Sequence, residues 1–216
     1  MNEIEKGKKI LKILNKIYPT TPIPLKHKNK FTLLVSVLLS AQCTDLNVNN
    51  VTKDIYSKYN KPEHFVKLGR KKIERLIKSI GIFRIKAKSI YLMSKQLLKE
   101  HNGSVPKTFE ELEKLPGVGH KTASVVMSQG FGFPAFAVDT HIHRLAQRWG
   151  LTNGKNVVQT EKDLKKLFPE HSWNKLHLQI IFYGREYCMA RSCYGLECEI
   201  CKICNPKRKS KILTKK

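Results

Sequence analysis

The chain has 216 residues, 41% of them hydrophobic, which is enough to bury a core in one large domain or two small ones. Lys and Arg number 41 against 17 Asp and Glu, so the formal charge of +24 favours an anionic partner and argues against an acidic-surface protein. The charged start, Met1-Asn-Glu-Ile-Glu-Lys, has no apolar signal core, and the longest apolar run, Phe31 to Leu39, is far short of a membrane span, so a soluble cytoplasmic protein is expected.

Nearly every segment has helical periodicity. Ile4, Ile10, Leu11, Leu14 and Ile17 mark an amphipathic first helix, ended by Pro19, Pro22 and Pro24. Phe31 to Ala41 reads as a buried helix. Asn47 to Tyr59, Pro62 to Leu68 and Lys71 to Ser79 follow as helices, with Asp45 expected as a cap. Gly81 breaks the chain before a helix over Lys86 to His101. Thr108-Phe-Glu-Glu111 has the pattern of a capping box opening a short helix. Phe131 to Phe136 is a break with apolar anchors, and Thr140–Trp149, Thr160–Phe168 and Ser172–Tyr187 are further helices. The basic tail from Lys207 to Lys216 is expected to be disordered. The fold class is therefore all-α.

The most informative stretch is Leu115-Pro-Gly-Val-Gly-His-Lys-Thr-Ala123, followed by Val138-Asp139-Thr140-His141. Gly117 and Gly119 can adopt φ > 0 and leave room for a close approach. With Val118 and His120 they form a hairpin that points backbone N–H groups and a helix start outward, a geometry suited to a phosphate. Lys121 falls in the first turn of the helix that follows. Alone, such a lysine reads as a solvated or phosphate-contacting residue, and Asp139 reads as a helix N-cap.

Three stretches together resemble the helix-hairpin-helix DNA glycosylases, most closely the endonuclease III branch. They are Leu38-Leu-Ser-Ala-Gln-Cys-Thr-Asp45, the hairpin with Lys121 and Asp139, and the cysteine-rich segment from Cys188. The resemblance implies two helical lobes with DNA between them. One would be continuous over about 23–133, carrying the hairpin; the other would join 1–22 to 134–216 and end in the cysteine loop. It also implies a bifunctional glycosylase and apurinic/apyrimidinic lyase of base excision repair; a nucleoid-associated location is expected with it, and a monomer is expected because no segment reads as a designed helix–helix interface. Its substrates would be oxidised pyrimidines or abasic sites in double-stranded DNA. An oxidised-purine or mismatch glycosylase of the same fold, or a non-catalytic hairpin module, is the alternative.

In that reading Lys121 displaces the damaged base from C1′, and the resulting imine acidifies C2′ so that the 3′ phosphate is eliminated. The amine must first lose its proton, which a helix N-terminus and partial burial would favour. A neighbouring carboxylate favours the cation instead, so Asp139 is expected to act in the reaction, moving a proton or stabilising positive charge on the sugar. The family usually has arginine where His120 stands. By resemblance, Gln42 would fill the gap left by the flipped nucleotide, and Ile82 would be the apolar wedge. Gln42 otherwise reads as a loop amide and Ile82 as core. Cys43 is expected to be buried and inert. His141 and His143 are expected to be structural, with His141 near the DNA backbone.

Five of the six cysteines lie at positions 188, 193, 198, 201 and 204, which points to a metal site. The resemblance implies a [4Fe–4S] cluster with spacing C-x6-C-x2-C-x5-C. Cys188, Cys198 and Cys204 fit it, but the second place falls on Gly195, which cannot ligate. Cys198-x2-Cys201-x2-Cys204 is a compact chelating run, so Cys188, Cys198, Cys201 and Cys204 are the expected ligands, with Cys193 as rival. Zinc is the alternative metal.

Overall fold

The structure is a computed structural model that describes residues 1–215. Its described residues form helices and no strands: α1 (Glu3–Ile17), α2 (Lys30–Ser40), α3 (Asp45–Lys58), α4 (Pro62–Leu76), α5 (Phe83–His101), α6 (Phe109–Glu113), α7 (His120–Val125), α8 (Thr140–Trp149), α9 (Val157–Leu167), α10 (Trp173–Glu186) and α11 (Glu199–Cys204). They divide into two compact units, Ile23–Phe133 and Met1–Pro22 with Pro134–Lys216. No helix among the described residues is long and apolar enough to cross a membrane.

The Ile23–Phe133 unit is built around α2. Every residue from Phe31 to Leu39 is buried, as expected of a helix apolar on all sides. Asn29 caps its start in a reciprocal box with Thr32. The helix packs on α3, α5, α7 and the π turn Val126–Gly130 that continues α7. Its polar groups are satisfied internally: Ser36 Oγ meets the Tyr56 hydroxyl at 2.7 Å, and that hydroxyl donates to the Thr32 carbonyl at 3.1 Å. The two helical stretches expected on either side of residue 69 form one element kinked at Gly69, where φ is 71°. Thr44, not Asp45, caps α3; Asp45 is the first helical residue. Thr108 caps α6, but the Glu111 carboxylate accepts from the Thr108 hydroxyl rather than from its backbone, so the box is half formed.

The second unit packs α1, α8 and α10 around Ile10, Leu14, Ile142, Leu145, Trp149 and Ile180, all essentially inaccessible. Trp149 meets Tyr183 edge-to-face at 5.9 Å between centroids. His143 is buried here with Nδ1 2.8 Å from Thr160 Oγ1, the structural role expected of it. The basic tail is tied down rather than loose. The Arg208 guanidinium donates to the Gly195 carbonyl, Ile212 N–H donates to Tyr194 O, and Lys211 sits over the Tyr194 ring. Lys215 N–H donates to the Gln147 side chain. One cation and two backbone N–H groups of the run thus find acceptors, which the charge pattern alone does not reveal. Lys216 lies outside the described residues.

Candidate active site and cysteine nest

The hairpin is set by Gly117. Its φ is 81°, and a Cβ there would stand 2.7 Å from the Ser89 Cβ of α5. Only glycine meets both conditions. Val118 is committed elsewhere than its expected DNA contact: its side chain is buried, and its N–H donates to the Leu115 carbonyl at 3.0 Å, closing the turn. Gly119 is different. A Cβ added to it would meet nothing within 4 Å, so this face of the hairpin is open. Gly119 caps α7, whose first N–H groups have no intrahelical acceptor. His120 is oriented by its own surroundings, with Nδ1 2.7 Å from Glu113 Oε1 and its ring stacked on Phe109. Lys121 follows, exposed, against the partial burial expected of it. Its side chain is exposed at the start of α7, directly after the Gly117 turn.

Gln42 and Ile82 lie in the same unit and share an unusual backbone. Both are left-handed, with φ of 55° and 51°. This conformation costs an ordinary L-residue about 1–2 kcal/mol, and for a β-branched side chain it is a true outlier. Their side chains nevertheless point to solvent, with Ile82 49% exposed, so it is not the ordinary core residue it could have been. The two loops are neighbours: a Cβ on Gly81 would sit 3.6 Å from the Gln42 carbonyl. Strain combined with exposure of an apolar side chain serves no packing purpose, and such outliers gather at functional sites.

Lys86 holds this arrangement in place, and sequence reasoning missed it. It is buried, and its amino group donates to the carbonyls of Leu39 and Ala41 at 2.9 and 2.6 Å. Those carbonyls end α2, where a cation also complements the helix dipole. Desolvation pushes its pKa below the usual lysine value. A signal existed, since Lys86 is in phase with buried Ile90, Met93 and Leu97 on α5. Cys43 is half-buried and accepts from Asn47 Nδ2 rather than being fully buried.

Asp139 belongs to the other unit. It caps α8, its Oδ1 accepting from Ile142 N–H at 2.8 Å. Its Oδ2 lies 2.9 Å from His141 Nδ1, and its side chain is only 11% accessible. Two donors from one helix turn thus fix both oxygens of a nearly buried carboxylate.

The cysteine loop is also in this unit. The sulfurs of Cys188, Cys193, Cys198 and Cys201 all lie within 4.8 Å of one another and all four residues are buried. Four convergent thiol groups can hold a metal. Cys204 is buried too, but its sulfur is not one of this set. Hydrogen bonds with Cys188 and Cys201 hold the Cys198 thiol far below its usual pKa, whereas bonding to Cys198 pushes Cys188 up to about 12. Arg148, fully buried, braces the loop by donating to the Cys188 sulfur at 3.3 Å and to the Met189 and Ala190 carbonyls at 2.8 and 2.9 Å. Sequence gave no sign of this role, because Arg148 is one cation among many.

A family profile described as the HhH-GPD superfamily base excision DNA repair protein matches residues 35–170. Endonuclease III of Bacillus subtilis (strain 168) is 43% identical over 93% of this chain and 93% of its own length. Endonuclease III of Escherichia coli (strain K12) is 41% identical over 93% and 97%. A solved structure of a trapped endonuclease III–DNA covalent intermediate superimposes with a TM-score of 0.88 at 41% identity, covering 93% of this chain and 94% of that one.

Proposed function

The chain belongs to the HhH-GPD superfamily of base excision DNA repair proteins, in its endonuclease III branch, and from that premise we propose that Lys121 is its nucleophile and oxidised pyrimidines its substrates. It is a bifunctional DNA glycosylase and apurinic/apyrimidinic lyase of base excision repair.

The observation that carries the assignment of Lys121 is its placement. It is an exposed amine immediately after a hairpin whose Gly119 face is open. Backbone N–H groups at the start of α7 would take a phosphate of the damaged strand. The duplex itself would then cover Lys121 and exclude water, which the unit alone does not do. The neutral Nζ attacks C1′, and the C1′–N bond to the base breaks, its electron pair leaving with the base. Loss of a proton from nitrogen and ring opening give the imine. Removal of a C2′ proton then expels the 3′ phosphate and cleaves the strand.

Asp139 serves as the fixed carboxylate of this sequence. Held by Ile142 N–H and His141, it neither swings nor needs reorganising as positive charge grows on the sugar. Gln42 and Ile82 occupy the space left by the extruded nucleotide. Ile82 unstacks the bases, and the amide of Gln42, able to donate and accept, pairs with the estranged one. The protein acts as a single chain on duplex DNA. The [4Fe–4S] cluster expected of the family would find the right donor atoms in the cysteine loop at too close a spacing, so no step is assigned to it.

Borohydride trapping tests this reading on duplexes bearing thymine glycol, 8-oxoguanine or an abasic site. A covalent adduct with thymine glycol and with the abasic site, absent in Lys121→Gln, is expected. An adduct on 8-oxoguanine but not thymine glycol would replace the pyrimidine assignment. No adduct on any duplex would remove Lys121 as nucleophile.

A further inference from the structure

We propose that the cysteine loop is a site for one tetrahedral zinc ion held by Cys188, Cys193, Cys198 and Cys201, in place of the family's iron–sulfur cluster. The carrying observation is the size of the nest. Cys201 Sγ lies 3.9 Å from Cys188 Sγ and 3.8 Å from Cys193 Sγ, and no pair among the four exceeds 4.8 Å. With metal–sulfur bonds of about 2.3 Å, a regular tetrahedron places its sulfurs about 3.8 Å apart. The ligand sulfurs of a [4Fe–4S] cube must stand about 6 Å apart, because irons and sulfides fill the space between them. The nest matches the first spacing and not the second.

The order of the ligands agrees with the spacing. Cys188-x4-Cys193 and Cys198-x2-Cys201 form two short hooks, the usual layout of a structural zinc site. The compact run Cys198-x2-Cys201-x2-Cys204 is not the one the fold gathers. Local backbone explains why. Tyr194 and Gly195 are both left-handed, with φ of 48° and 85°, and this reversal directly follows Cys193. A side chain at Gly195, the place of the family's second ligand, would meet the Arg208 guanidinium at 2.7 Å. Position 195 holds a glycine with φ of 85°, which offers no sulfur, and the thiol of Cys193 joins the nest instead. Cys198 N–H donates to Cys193 Sγ at 3.4 Å, the kind of backbone bond that steadies a thiolate.

Binding converts four thiols and one Zn²⁺ into a tetrathiolate of net charge −2, releasing the protons still held by the sulfurs. The Arg148 guanidinium, 3.3 Å from Cys188 Sγ, offsets part of that charge. No electron transfer is involved, and the ion would tie α11 to the end of α10.

The test uses the full chain, expressed with iron and zinc both supplied. Elemental and sulfide analysis should give about one zinc per chain and no acid-labile sulfide. Zinc is then exchanged for Co²⁺, whose visible bands report the number of sulfur ligands. Wild type and Cys204→Ser should both give the four-sulfur spectrum. Cys193→Ser should lower metal affinity by on the order of 10²-fold or more. Should that variant not fold, Cys193→His decides the matter: zinc accepts imidazole, so one metal is retained and the cobalt bands move to a three-sulfur, one-nitrogen pattern. Four irons with four sulfides per chain, or loss of metal in Cys204→Ser with retention in Cys193→Ser, would overturn the proposal.

Discussion

The hairpin unit and the cysteine loop use opposite physical strategies. In the first, the side chains proposed to act on DNA stand in solvent on a backbone fixed by burial elsewhere: Lys121, Gln42 and Ile82 are exposed, while Val118, Lys86 and the Phe31–Leu39 stretch of α2 are buried. In the second, the proposed metal ligands are themselves part of the core, since the four gathered cysteines and Arg148 are all buried. Substitution in the first should therefore separate activity from stability. Substitution in the second should not.

The largest effect is expected at Lys121. Lys121→Gln should lower strand cleavage at an abasic site by on the order of 10³-fold or more, with an unchanged thermal midpoint because the side chain is exposed. Single-turnover cleavage and thermal unfolding, measured on one preparation, would break the comparison if stability fell with activity. Asp139→Asn should come next, at roughly 10²-fold in rate. Asparagine caps a helix about as well as aspartate, so stability should change by less than about 0.5 kcal/mol. A much larger loss in denaturant unfolding would mean that the carboxylate is chiefly structural.

Arg148→Met tests the cysteine loop from the other side. It leaves the Met189 and Ala190 carbonyls without their donor, at a cost of about 2–4 kcal/mol for the pair. Urea unfolding should show that loss together with weaker metal retention. Unchanged stability would detach Arg148 from the nest. The smallest effect is at Ile82. Ile82→Asn should lower base excision by roughly tenfold, as an apolar wedge is replaced by a polar one. It should leave stability equal or slightly higher, because asparagine tolerates the left-handed backbone that isoleucine resists. A clear loss of stability with normal excision would return Ile82 to the core.

Legibility in the sequence followed the same divide. The hairpin was readable because backbone demands leave few residue choices: Gly117 must be glycine for both φ and space. Helix class and order were readable from periodicity, and the kink at Gly69 fell between two expected helices. What sequence could not supply was the pairing of groups far apart along the chain. Which four of five sulfurs converge depends on how the loop folds, including the left-handed turn at Tyr194–Gly195. Lys86 and Arg148 were hidden for a related reason. In a chain this rich in cations, burial of one gives no compositional mark, and only the acceptors it meets reveal it. The tail misled for a related cause: its acceptors are distant in sequence, Gly195 for the Arg208 guanidinium and Tyr194 and Gln147 for the backbone N–H groups of Ile212 and Lys215.

An exposed lysine just after the Gly117 turn is proposed to form the covalent link to DNA. Peptide mapping by mass spectrometry of the borohydride-reduced adduct tests it most directly. A sugar remnant on the peptide containing Lys121, and on no other lysine, is the expected result. A remnant on another amine, with Lys121 unmodified, would contradict it.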